Sequence, residues 1–188
     1  MQLGDLCRYR EIEINNGQRN WGPAIGYYSL ANEVLPESGV AHNQLAVVAL
    51  ADGNHLRAVY YLYRSLGTKN PHRLAQGNLE LEFKKVITAW DKGEKILKRP
   101  KGNDHVRERS LIAWFVRLHS KCYRGQEFAE HAELVQEVLS QLNREVTDLS
   151  INGKLQMLVL VNIAAEHFAT CRLRRESYPL MASFKGRG

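Results

Sequence analysis

Ala24-Ile25-Gly26-Tyr27-Tyr28-Ser29-Leu30-Ala31-Asn32-Glu33-Val34-Leu35-Pro36 is the stretch whose reading decides the fold. Ala24, Tyr28 and Ala31 follow a helical spacing, small, large, small, and Pro36 ends the run. Shifted by 34 residues, the same places hold Ala58, Leu62, Ser65 and Asn70, with Pro71 one position later. Small residues let paired helices approach, and large ones fill the gaps between them. A helix pair of this kind cannot bury its apolar face alone, so neighbouring pairs must stack.

The spacing is that of the second helix of a tetratricopeptide unit. Leu45-Ala46 and Ala49 supply the matching first helix of the second unit. Another shift of 34 finds Leu79 and Phe83, after which the pattern dissolves. Helical periodicity continues nonetheless, and strand signals are scarce: no Asn-Gly turn joins two β-like runs. The periodicity predicts helices over 2–14, 22–35, 39–51, 54–67, 72–90, 104–123, 126–149 and 152–174. Pro23 suits a first helical turn, and Gly39, Asp52-Gly53, Gly67 and Asn70-Pro71 mark breaks. The fold class is all-α: antiparallel helix pairs of a tetratricopeptide or 14-3-3-like solenoid, followed by a helical bundle or hairpin. Residues 1–97 form the paired-helix unit, 98–103 a linker, 104–175 a helical-hairpin extension and 176–188 a disordered tail. In the extension, Phe128, Leu134, Val135, Val138, Leu139, Leu142, Val146 and Leu149 are expected to form one apolar stripe. Glu127, Glu130, Glu133, Glu137, Glu145 and Asp148 form the outer face. The segment Leu155 to Ala169 is apolar nearly all round and is expected to be central or covered.

The chain has 188 residues, enough to bury a core without disulfide or metal staples. No run approaches the roughly 18 apolar residues of a membrane span. Cys7, Cys122 and Cys171 lie far apart, and an odd count fits reduced thiols. No Gly-rich phosphate loop, nucleophile elbow or metalloprotease motif occurs. The seven histidines fall singly and are expected at the surface or half-buried, with no metal site and no cofactor. Nothing favours an enzyme.

Net charge is +6, with 9 Lys/Arg against 8 Asp/Glu in residues 1–90 and 17 against 12 in residues 91–188. Lys84, Lys85, Lys95, Lys98, Arg99 and Lys101 gather in one region, and Arg172, Arg174 and Arg175 in another. Such clusters meet nucleic-acid phosphates or form a solvated face. No aromatic platform for base stacking is evident beside them. In the first half, Arg8 followed by Tyr9 offers a bidentate guanidinium and a hydroxyl to a phosphate. Asn43, at a helix start, can meet the backbone of an extended peptide or act as a turn contact.

Three segments carry a family resemblance. These are Leu3-Gly4-Asp5-Leu6-Cys7-Arg8-Tyr9-Arg10, Gly39-Val40-Ala41-His42-Asn43-Gln44-Leu45-Ala46, and Ala58 to Pro71 followed by Asn78-Leu79. Together with Ala24 to Pro36 they resemble the 14-3-3-like, tetratricopeptide-containing domain shared by the SMG nonsense-mediated-decay factors and the ever-shorter-telomeres telomerase subunits. Trp114-Phe115-Val116-Arg117-Leu118-His119 is similar to the F-x-R-L-H helix of the adjoining domain, particularly in fungal members. The resemblance implies a non-catalytic adaptor of the nucleus or cytoplasm. Its groove would bind phosphoserine peptides of a phosphorylated helicase-like decay factor, with Arg8 and Tyr9 at the phosphate and Asn43 at the peptide backbone. The alternative it implies is binding of telomerase RNA or single-stranded DNA or RNA through the basic segments. The family places further helices, one with a phosphate-binding Lys, ahead of its Gly-Asp, and has Pro-Tyr where this chain has Ala41-His42. The expectation is therefore an N-terminally truncated member.

Overall fold

The structure is a computed structural model that describes residues 1–14, 19–93, 106–123, 125, 128–147 and 153–184; the side chains of 106–109, 173 and 175–184 are not described. Eight helices run through these residues: α1 (Gln2–Glu13), α2 (Gly22–Val34), α3 (Val40–Asp52), α4 (His55–Leu66), α5 (Ala75–Asp91), α6 (Val106–Cys122), α7 (His131–Thr147) and α8 (Leu155–Phe184). Consecutive helices from α1 to α7 pack as neighbours, except that the connections differ in length, and α8 returns to lie against α4. The all-α fold of adjacent helix pairs is as expected.

Local chemistry sets the corners. Pro23 lies in the first turn of α2, where its missing N–H costs nothing. Gly53 ends α3 at φ 75°, a left-handed conformation that favours glycine, and its N–H returns to the carbonyls of Ala49 and Leu50. Asn54 then caps α4, its Oδ1 accepting from the N–H of Arg57 at 3.1 Å.

The 34-residue register is visible in the core. Ala24, Tyr28, Ala58, Leu62 and Ser65 are all fully buried. Gly39 sits where α3 enters beside α4: its N–H donates to Asn70 O at 2.9 Å, and its carbonyl accepts from Ser65 Oγ at 2.7 Å. A Cβ there would lie 2.6 Å from Ser65 O and 2.7 Å from His72 N, so only glycine fits. The two repeat ends are thus tied directly, with Asn70 also donating to Glu37 O.

One large buried cluster draws on α3 through α8. It joins Ala46, Leu62, Leu79 and Phe83 to Leu111, Phe115, Val138 and Val161. A smaller cluster under α1 contains Trp21, Ala24, Tyr28, Leu45 and Val48.

Several expectations in the second half need correcting. Glu145 is buried at 2% exposure, whereas Leu139 and Val146 are exposed. Residue 145 lies seven positions after Val138, on the same side of α7, so geometry places it inward despite its charge. The buried face of α7 is narrower than the run of apolar residues. Nor is α8 covered all round: Leu158 and Val161 are buried, while Val159 and Ile163 are 46% and 58% exposed. Its backbone stays helical to Phe184, ten residues beyond the boundary predicted by periodicity. The segment 98–103, expected as a linker, lies outside the described residues.

Candidate functional site

Around Arg8 the sequence builds a buried polar cluster. Gly4, Arg8 and Glu11 share the inward face of α1. Gly4 lets the Tyr28 ring come close; a Cβ at Gly4 would lie 2.5 Å from that ring. The Tyr28 hydroxyl accepts from Arg8 Nε at 3.2 Å and donates to Asp5 Oδ1 at 2.8 Å. Gln44 of α3 donates to the same Asp5 oxygen at 2.9 Å. Asp5 also pairs with the Arg8 guanidinium at 3.6 Å. Arg8 is 8% exposed, and its guanidinium lies 4.3 Å from the Tyr9 ring centre. Burial works against the charge of Arg8, but hydrogen bonds to Tyr28 and Tyr9 outweigh it and raise its pKa. Burial likewise pushes Tyr28 up to about 12, so its hydroxyl remains a proton donor.

Arg8 is thus buried and engaged by Tyr28 and Asp5, while Tyr9 beside it is half-exposed. Asn43 is buried, and its Oδ1 accepts from Asn78 of α5 at 3.0 Å, a contact between repeats. Its neighbour Gln44, not Asn43, reaches the Arg8 cluster.

The basic residues separate into different settings. Lys84 and Lys85 are exposed on α5, and Arg174 is exposed on α8. Arg172 donates to the carbonyl of Tyr123 at 3.0 Å and lies over that ring, which holds α8 to the end of α6. Lys95, Lys98, Arg99, Lys101 and the side chain of Arg175 lie outside the described residues.

Sequence reasoning missed two features. The first is an aromatic and cationic cluster at the end of α5: Trp90 and Trp114 lie 4.8 Å apart, and the Arg117 guanidinium sits 4.4 Å from Trp90. The i,i+3 spacing of Trp114 and Arg117 was readable, but Trp90 reaches them only through the α5–α6 packing. The second concerns histidine. His42 and His119 are buried, not superficial, and burial pulls each down to about 4. His119 meets Asn162 Oδ1 across the bundle at 2.9 Å. Among the described residues no cluster of metal-ligating side chains occurs, and no helix is long and apolar enough to cross a membrane.

Comparison with known proteins fits this architecture. A family model described as the Est1 DNA/RNA binding domain matches residues 24–184. The chain belongs to the Est1 DNA/RNA binding domain family. It is 44% identical over 84 residues to a nonsense-mediated mRNA decay factor SMG7-like protein of Arabidopsis thaliana, covering 44% of this chain and 10% of that protein. It is 36% identical over 96 residues to telomerase-binding protein EST1A of Danio rerio, covering 51% of this chain and 6% of the relative. The telomere elongation protein est1 of Schizosaccharomyces pombe is 32% identical over 77 residues, 41% of this chain and 16% of its own length. The chain thus spans a small part of each relative. The match to the Est1-type domain begins in α2 and runs to the end of α8, so the repeat ties lie within it and α1 lies ahead of it.

Proposed function

We propose that this Est1-type domain is a non-catalytic adaptor module in nonsense-mediated mRNA decay or a telomerase-associated assembly, and that its ligand is single-stranded nucleic acid. The observation that carries the reading is the match of the Est1 DNA/RNA binding domain to residues 24–184. Exposed Lys84, Lys85 and Arg174 support it, because surface cations neutralise phosphates at little cost to the fold. Lys95, Lys98, Arg99, Lys101 and Arg175 extend the same basic segments in sequence. The test is titration of a labelled single-stranded oligonucleotide at several salt concentrations. Affinity that falls steeply with salt supports the reading; absence of binding at low salt refutes it.

A second ligand reading rests on Arg8. Asp5 and Tyr28 hold its guanidinium in a fixed pose beside Tyr9, a preorganised donor set for the phosphate of a phosphoserine peptide. Asn43 would then contact the peptide backbone. The Asp5 carboxylate weighs against this site, since it already draws on the same cation. Titration of phosphorylated and unphosphorylated peptides tests it: equal affinities remove the phosphate role of Arg8.

A further inference from the structure

Between α4 and α8 lies a groove to which neither the motifs nor the family match gives a role. It encloses about 580 Å³, within the range of roughly 300–1,000 Å³ of small-ligand sites. Leu160 and Ile163 of α8 make one wall, and Tyr60 of α4 stands in the other. Ile163 is 58% exposed, a large apolar side chain without cover. Arg64 is exposed at the mouth and forms no ion pair with a carboxylate among the described residues. Lys69 also lines the mouth and pairs with Glu37 at 3.3 Å. On the inner side lies His42, 5% exposed, whose Nδ1 has no hydrogen-bond partner among the described residues.

We propose that this groove seats a nucleotide of single-stranded nucleic acid, its phosphate at Arg64 and its base between Tyr60 and the apolar wall of α8. The occupant follows from complementarity. Cations at the mouth beside an aromatic ring and an apolar wall match the alternation of phosphate and base along a single strand. An apolar peptide helix would cover Ile163 equally well but would leave Arg64 without a counter-charge. The inference rests on the nucleic-acid reading above and adds the site, which the basic segments do not include.

The test uses the 188-residue chain and labelled single-stranded oligouridine and oligothymidine, read by fluorescence anisotropy at low salt. The variants are Arg64→Glu, Lys69→Glu and Tyr60→Ala in the groove, and Lys84→Glu/Lys85→Glu away from it, each checked by circular dichroism. Arg64 and Lys69 are exposed, so their variants keep the protein folded and the test valid even if Tyr60→Ala does not. The proposal expects Arg64→Glu and Tyr60→Ala each to weaken binding roughly ten-fold. It also expects a smaller loss for Lys69→Glu, whose cation is already shared with Glu37. Loss on oligouridine alone would support a ribose contact within the same site; loss on both strands supports recognition of phosphate and base. Wild-type binding that the groove variants leave unchanged, but Lys84→Glu/Lys85→Glu reduces, overturns the groove and leaves the nucleic-acid reading standing. No binding of either oligonucleotide overturns both. Groove variants that weaken only a phosphoserine peptide overturn the proposal and assign the groove to protein ligands.

Discussion

Tyr28→Phe removes one oxygen atom from a residue that is fully buried, and its cost is set by what that oxygen joins. The hydroxyl takes a hydrogen bond from Arg8 and gives one to Asp5, so both partners are ionic. Each such bond contributes about 1.5–3 kcal/mol net, and a stranded buried donor adds its own penalty. Two contacts partly compensate: Asp5 keeps Gln44 at 2.9 Å and Arg8 at 3.6 Å. The expected loss is therefore about 2–3 kcal/mol rather than the full sum. In a domain of this size that lowers the melting temperature by roughly 4–12 °C. The assay is urea unfolding followed by far-UV circular dichroism, with an unchanged slope as the sign that only stability moved. Tyr27→Phe is the control, because Tyr27 is 40% exposed and its expected change is within about 0.5 kcal/mol. A Tyr28→Phe loss as small as that of the control would refute the cluster as a structural anchor for Arg8.

Other expectations follow from the same geometry. Gly39→Ala should cost about 2–3 kcal/mol, because both nearest neighbours of the new methyl are backbone atoms that cannot step aside; a neutral result in chemical denaturation would contradict the close approach of α3 to α4. Acid should destabilise the fold through His119 and His42, whose pKa values fall from 6.5 to about 4 on burial. Their stabilising effect is fully present above the unfolded value of 6.5 and is lost as pH falls toward 4, because the unfolded chain binds protons first. His119 contributes up to about 3 kcal/mol across that window, and the less desolvated His42 contributes less. Replacing His119 by Gln should flatten the pH dependence of the urea midpoint, and an unchanged slope would show that His119 is not buried neutral. Glu82→Ala should lower stability by about 2 kcal/mol, since it removes the contact that the buried Glu82 makes with the partly exposed His55; thermal melts read it directly.

Much of the first half was legible in the sequence because the chain repeats itself. Ala24 and Ala58 share one role, as do Tyr28 and Leu62, and the breaks at Gly53 and Pro71 are local chemistry that no distant contact overrides. The helices of the second half were legible as helices, but not their inward faces. Leu139 and Glu145 exchange their expected places because α6, not the run of apolar residues, decides which side of α7 is covered. The same holds for Arg8, whose burial depends on Tyr28 twenty positions away and on the small Gly4 beneath it. The α4–α8 groove was illegible for a plain reason: Arg64 and Ile163 belong to helices far apart in sequence, and the motif around Arg64 says nothing of what α8 brings beside it. Composition placed the positive charge in the second half, whereas two cations in the groove, Arg64 and Lys69, come from the nearly neutral first half.

The central claim is that this Est1-type domain binds single-stranded nucleic acid. Anisotropy titration of the wild-type chain with a labelled oligonucleotide across a salt series tests it most directly. The account predicts saturable binding at low salt whose logarithm falls linearly with the logarithm of salt concentration, with a slope of several phosphate contacts. Saturable binding of a phosphoserine peptide together with no oligonucleotide binding at any salt concentration would contradict it.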